Sequence, residues 1–207
     1  MAFDPSGCAA PAFTRQVREV SVTDEIDEAR ELRSASSGDE AAFTALYRRH
    51  QAAVYRYAWL LTGSAAHAAD ITQDVFVELL SASSGYDAAR GSLAAYLCGI
   101  ARFRAYRTID TRMQTVDDFD ALAEARAEHD APALPSDRLE RSRALQTLYD
   151  AIRKLPPIFR DVLILVELQQ MSYADTAAVA GIEVGTVRSR LSRAKAKLVQ
   201  SLNSQVE

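Results

Sequence analysis

Hydrophobic residues along the first half of the chain recur at spacings of three and four, and no segment shows the two-residue alternation of a β-strand. This pattern predicts helices over about residues 24–35, 39–62, 66–80 and from 93 to about 112. The segment SSGD provides a break, and its Asp39 is suited to cap the second helix. Ile71, Val75 and Leu79 lie four apart, which puts them on one face of the third helix. The first half is therefore predicted to be a small helical domain.

The second half shows the same helical spacing after an acidic, alanine-rich segment that ends in APALPSD. Because this segment lacks an apolar stripe, we predict a flexible linker. A stripe of leucine and isoleucine then marks the next helix: Leu145, Leu148, Ile152 and Leu155. The pair Pro156-Pro157 ends that helix and begins another, since proline is tolerated in a first turn. The predicted organisation is a disordered extension (1–23), a first domain (24–112), the linker (113–137) and a second domain (138–207).

The segment MSYADTAAVAGIEVGTVRSRLSRAKAKL predicts a helix-turn-helix. Gly181 separates a short helix from a longer one that begins near Val184. The longer helix has an apolar face made of Val187, Leu191, Ala194 and Leu198. Arginine and serine side chains fall largely on its other side: Arg188, Ser189, Ser192 and Arg193. Thr186 in the first turn is suited to bind a phosphate. A helix that reads the major groove needs this combination, so we predict that these residues bind DNA.

The distribution of charge supports nucleic-acid binding although the formal net charge is −4. Residues 184–200 contain five basic side chains and no acidic one, and residues 102–112 contain four arginines against one aspartate. An acidic stretch, 117–130, lies between the two basic segments. The position of these charges says more about partners than their sum does.

Catalytic and metal-dependent functions have no support in the sequence. Cys8 and Cys98 form no CxxC pair, no histidine lies near them at metal-ligand spacing, and Cys98 sits in an apolar run that predicts a buried residue. No phosphate-binding glycine loop or nucleophile motif is present, so we expect neither an enzyme nor a cofactor. Without a secretory signal or an apolar run of about 20 residues, a cytoplasmic protein without membrane insertion is expected.

Several motifs together resemble one family. GTVRSRLSRAKAKL resembles the promoter-binding helix of extracytoplasmic-function (ECF) sigma factors, and LPPIFRDVLIL resembles the helix before it. DITQDVFVELL resembles the family's polymerase-binding helix, and GSLAAYLCGIARFRAYRTIDTR the helix that reads the melted promoter. The resemblance extends over roughly residues 30–112 and 138–202, with the motifs in family order. Phe103 departs from the family pattern, in which asparagine is common at this position.

The resemblance implies a transcription initiation factor with three kinds of partner. The first domain would dock on the clamp of the largest subunit of the RNA polymerase core, through Asp70, Gln73, Asp74 and Glu78. The helix that follows would contact the minus-ten element, through Arg102, Phe103, Arg104, Arg107 and Arg112. Tyr86, in the preceding loop, could stack on a base flipped from the melted strand. The second domain would bind the minus-thirty-five element and the flap of the second-largest subunit, and the linker would occupy the RNA exit path. An anti-sigma factor is expected to clamp both domains, as part of a stress or envelope response.

Two other functions compete with this hypothesis. A one-component helix-turn-helix regulator would need a ligand-binding or receiver domain, and the strands of a receiver are not evident in the sequence. A sigma mimic that sequesters an anti-sigma factor could dispense with a basic recognition helix, which this chain retains.

Overall fold

The computed structural model describes residues 22–81, 85–115 and 136–203, with side chains for 27–81, 85–109 and 144–203. Within these ranges the chain is helical and contains no strand, which confirms the predicted all-α class. The helices are α1 (Val22–Ser36), α2 (Glu40–Thr62), α3 (Ala65–Leu80), α4 (Leu93–Thr115), α5 (Ser136–Arg153), α6 (Pro157–Leu163), α7 (Tyr173–Ala180) and α8 (Val184–Asn203).

The first half is a bundle in which α2 packs against α1, α3 and α4. Local signals set the limits of α2 as predicted. Asp39 caps its start, where the carboxylate accepts hydrogen bonds from the amides of Ala41 and Ala42. Gly63 ends it in the left-handed conformation (φ 70°), which glycine adopts without the steric cost that a side chain would add. The apolar face of α3 is buried, with Ile71, Val75 and Leu79 turned inward.

The second half contains two departures from the predicted pattern. The apolar spacing predicts that Leu145 belongs to a buried stripe, but 51% of its surface is exposed. Ile152 and Leu155, further along the stripe, are buried as expected. The apolar run after α6 continues as a π-helical turn (Ile164–Leu168), a wider winding that the spacing of residues did not indicate.

The two halves pack on each other. Buried side chains of both belong to one continuous core, which joins Val54 and Tyr57 of α2 to Ile152 and Val162 of the second half. The first helix of the helix-turn-helix, α7, lies against α4. The sequence predicts two domains joined by a flexible linker. In the structure each half buries apolar side chains against the other.

The predicted linker and extension fall mostly outside the described residues. Helix α4 extends to Thr115 and α5 begins at Ser136, so the described chain enters the predicted linker at both ends. Within the described part of the chain, no helix is long and apolar enough to cross a membrane.

Candidate nucleic-acid interface

Helices α7 and α8 form the predicted helix-turn-helix. Ser172 caps α7 by accepting a hydrogen bond from the amide of Asp175 at 3.0 Å. Gly181 then adopts φ 66°, and the amide of Ile182 bonds the carbonyl of Ala177 at 3.0 Å, which closes the turn. This turn sets the direction in which α8 leaves the domain.

Helix α8 separates its apolar and polar residues as predicted. Val187, Leu191 and Ala194 are buried and hold the helix on the domain, while Leu198 is partly buried. The five predicted contact residues lie at or near the surface: Arg188, Ser189, Ser192 and Arg193 are exposed, and Thr186 is half-buried. The helix therefore presents arginine and hydroxyl groups on a fixed support, as a major-groove reader requires.

Basic residues of α8 differ in their surroundings. The Arg188 guanidinium lies 5.8 Å from the centroid of the Tyr173 ring, an arrangement that orients it by cation–π attraction. The ammonium of Lys195 pairs with Glu167 at 2.9 Å. Lys195 is thus partly neutralised within the second half, and we expect Arg188 and Arg193 to carry more of the interaction with an anionic partner.

The predicted minus-ten residues of α4 differ in their exposure and in their contacts. Phe103 is 63% exposed, and the Arg107 guanidinium lies 5.7 Å from the centroid of its ring. An exposed aromatic ring beside an arginine suits stacking on an unpaired base. The side chain of Arg112 lies outside the described part of the chain.

Arg102 does not point freely into solvent. Its Nε donates a hydrogen bond of 2.7 Å to Oδ2 of Asp161, which comes from α6 in the other half. Burial opposes the charged form of Arg102, but the bond to Asp161 outweighs it, and the pKa of the guanidinium is raised. Arg102 is therefore occupied by the second half in this arrangement.

Arg104 joins the predicted DNA and polymerase surfaces. Its two terminal nitrogens donate to Asp74 at 2.7 Å and to Glu78 at 2.8 Å, both on α3. The family resemblance implies that Arg104 contacts the minus-ten element and that the two carboxylates bind polymerase. The structure brings the three together in one ion-pair cluster that connects α3 to α4.

Asp70 and Gln73 complete the predicted polymerase face, and both are exposed on α3. Beside them an open groove of about 720 Å³ runs between α2 and α3. Aromatic and aliphatic side chains line most of it: Phe43, Tyr47, Tyr55, Phe76, Val77 and Leu80. Polar residues along an apolar groove are the usual composition of a surface that binds a protein partner.

Tyr86 is not positioned as a free stacking platform. Its ring centroid lies 5.5 Å from that of Tyr96, at an interplanar angle of 52°, and the residue is half-buried. The tyrosine packs against α4. Part of its loop, residues 82–84, lies outside the described chain.

The side chains of Cys98 and His50 both lie in the interior of the protein. Cys98 is buried as predicted, and burial, helped by the charge of Asp161, raises the pKa of its thiol to about 12. His50 is also buried, and its Nε2 lies 3.0 Å from Oε1 of Glu28 in α1. No cluster of potential metal ligands occurs among the residues that the structure describes.

Comparison with protein families matches both halves of the chain. Residues 46–115 match the family "Sigma-70 region 2", and residues 145–198 match "Sigma-70, region 4". The first match includes the α3 acidic face and the described part of α4. The second includes α6 and the helix-turn-helix.

Individual proteins give the same result over most of the chain. The chain is 33% identical to the ECF RNA polymerase sigma factor SigC of Mycobacterium tuberculosis, over 80% of this chain and 86% of that protein. It is 30% identical to the ECF sigma factor SigE of Mycolicibacterium smegmatis, over 79% of this chain but only 63% of SigE. Among solved structures, the chain resembles the sigma factor RpoE in complex with the anti-sigma factor NepR from Bartonella quintana. That likeness has a TM-score of 0.64 and 28% identity, and covers 78% of this chain and 96% of RpoE.

Proposed function

The chain belongs to the ECF family of RNA polymerase sigma factors, and on that premise we propose that it binds the polymerase core and directs it to promoters. In this proposal the polymerisation chemistry belongs to the core enzyme, and the chain acts in the cytoplasm without a catalytic role. The first half, about residues 24–112, would bind the core and the minus-ten element. The second, about residues 138–207, would bind the minus-thirty-five element.

The observation that carries the proposal is the structure of α8. Its buried side fixes the helix to the domain, and its exposed side carries Arg188, Ser189, Ser192 and Arg193 together. Arginine can bind guanine through two hydrogen bonds or neutralise a phosphate, and the hydroxyls can bond bases or backbone. A helix with this surface is suited to read one element of a promoter.

Support for polymerase binding comes from α3. Asp70, Gln73, Asp74 and Glu78 present carboxylates and an amide along one side, next to the apolar groove. A partner with a basic, partly apolar helical surface, such as the clamp of the largest subunit, would match both features. Contact with the flap of the second-largest subunit would come from the second half.

Regulation by an anti-sigma factor is the third part of the proposal. The structurally similar RpoE was solved with the anti-sigma factor NepR bound. Purification of the tagged chain at its natural level, across growth conditions, tests this part. We expect an anti-sigma protein in some conditions and polymerase in others, and recovery of polymerase alone in every condition would contradict it.

A mobility-shift experiment separates this function from its two competitors. With core polymerase added, a sigma factor shifts promoter DNA more strongly than either protein alone. A one-component regulator would shift DNA without the core, and a mimic would not increase the shift that the core gives alone. No observation favours these alternatives over a sigma factor.

A further inference from the structure

Arginines of the second half bind the carboxyl end of α2. The Arg160 guanidinium donates to the carbonyls of Leu60 and Leu61, at 3.4 and 3.0 Å, and Arg153 donates to that of Gly63 at 3.2 Å. The last carbonyls of a helix lack partners within it and carry partial negative charge, so cations from elsewhere in the chain stabilise this end. The contact between the halves is therefore polar and directional as well as apolar.

A buried carboxylate lies at the centre of the same contact. Asp161 of α6 is 2% exposed, and its Oδ1 accepts a hydrogen bond of 2.7 Å from the hydroxyl of Tyr57. Its Oδ2 accepts the 2.7 Å bond from Arg102 of α4. Burial, and then the charge of Asp161, raises the pKa of Tyr57 well above its usual value, so the phenol stays protonated and donates.

These side-chain partners of Asp161 all belong to the first half of the chain. A carboxylate that served only the fold of the second half would have partners there or in solvent. Burying a charge is costly unless it is paired and hydrogen-bonded, and Asp161 meets that condition only while the halves are together. When the halves separate, water can solvate the carboxylate.

We propose that Asp161 is a latch that holds the free protein closed by binding Tyr57 and Arg102 across the two halves. Closure keeps Arg102 from promoter DNA, so the halves must separate before that arginine can reach a phosphate. The helix-turn-helix face of α8 stays exposed in the closed state. The consequence for DNA rests on the proposed function, whereas the latch itself rests only on the contacts described.

The latch can be tested by a distance measurement that needs neither polymerase nor DNA. Dyes are placed on exposed positions of the two halves, Thr44→Cys in α2 and Gln200→Cys in α8, in a Cys8→Ser background. Energy transfer between them is recorded for single molecules. Wild-type Asp161 should give one high-transfer population.

Asp161→Asn keeps the size of the side chain but removes the charge that pairs with Arg102. We expect the ratio of open to closed molecules to rise about tenfold to one hundredfold, the factor typical of losing a hydrogen bond to a charged group. Glu167→Gln is the matched control, because it also removes one negative charge from the second half but pairs with Lys195 in that same half. The control should leave energy transfer unchanged.

Tyr57→Phe tests the latch from the first half of the chain, because it removes the hydroxyl that donates to Asp161. It should also raise the ratio of open to closed molecules. In the double variant this ratio should rise by less than the product of the increases in the two single variants, because both substitutions affect the bond between Tyr57 and Asp161. Circular dichroism distinguishes opening from unfolding. If Asp161→Asn loses helical content, the energy transfer of Tyr57→Phe is used to test the latch instead. Unchanged energy transfer in folded Asp161→Asn or, failing that, in folded Tyr57→Phe would overturn the latch, even if the chain proves to be a sigma factor.

Discussion

Single residues of α8 have roles that their charge alone does not determine. Arg188 is held near the Tyr173 ring, Lys195 is paired with Glu167, and Arg193 is exposed. The sequence predicted the exposed side of this helix because a glycine turn and a four-three-four apolar spacing are local signals. Lys195 pairs with Glu167, which lies 28 positions earlier in the sequence (195 minus 167). The spacing of apolar residues gives no information about this pairing.

Arg193→Ala should weaken binding of the holoenzyme to its promoter by about 1–3 kcal/mol if the guanidinium binds a base through two hydrogen bonds. The preference at one upstream position should then relax. If Arg193 meets only a phosphate, the loss should be the same for all sequences, and the slope of affinity against salt should fall by about one unit. Fluorescence titration on promoters with each element scrambled distinguishes the two cases.

Arg30→Ala, at an exposed site on α1, serves as the control and should leave upstream recognition intact. Core binding should also survive Arg193→Ala, because the proposed docking face lies on α3. An equal loss of affinity on a promoter whose upstream element is already scrambled would show that Arg193 does not read that element.

Cys98 should resist thiol reagents in the folded protein. With a pKa of about 12, only a very small fraction of the thiol is ionised near pH 8, and burial blocks access as well. In a Cys8→Ser background, labelling by a disulfide reagent should be slow and should accelerate sharply in denaturant. Rapid labelling of the native protein would contradict the burial of this residue.

At the scale of elements, the ion pairs between α3 and α4 connect two surfaces that the sequence had suggested were separate. The helices themselves were predictable from apolar spacing and from caps such as Asp39 and Gly63. Their contacts were not, because Arg104 and Asp74 are 30 positions apart. Leu145 shows the same limit: its spacing fits a buried stripe, but exposure depends on whether another helix covers it.

Charge reversal on α3 should weaken binding to the polymerase core. Asp74→Lys is expected to do so, but it also repels Arg104, whereas Asp70 enters no ion pair among the described residues. Asp70→Lys is therefore the cleaner variant, and Asp39→Asn, away from this face, is a control that keeps an N-capping side chain. Core affinity is measured by titration, with helical content as a check on folding. Unaltered affinity for both Asp70→Lys and Asp74→Lys would contradict docking through α3.

Arg104→Ala should impair use of the downstream promoter element and strand opening more than upstream recognition. Its two ion pairs are partly exposed, so we expect a loss in the free energy of unfolding of only about 0.2–1 kcal/mol. Urea denaturation measures the stability, and a fluorescent base in the melted region measures opening. Normal opening would show that Arg104 serves only to join the two helices.

At the scale of the whole molecule, two halves that the sequence divides at an acidic segment form one continuous core. The division was predictable from composition, but the contact was not, since Tyr57 and Asp161 are 104 positions apart. The sequence does indicate that Asp161 is unusual, because it is a charged residue inside the apolar run of LPPIFRDVLIL, where a solvated position is not expected. A single sequence gives no indication of which residues pair with it.

Mapping of transcript starts in a purified system shows directly whether this chain brings RNA polymerase to promoters. Core polymerase is incubated with genomic DNA from the organism that encodes the chain, with and without the protein, and the RNA 5′ ends are sequenced. With the protein present, we expect a discrete set of new starts that share one motif near minus ten and another near minus thirty-five. The Arg193→Ala variant should reduce these starts. The same starts with and without the protein would show that it does not direct the polymerase to promoters.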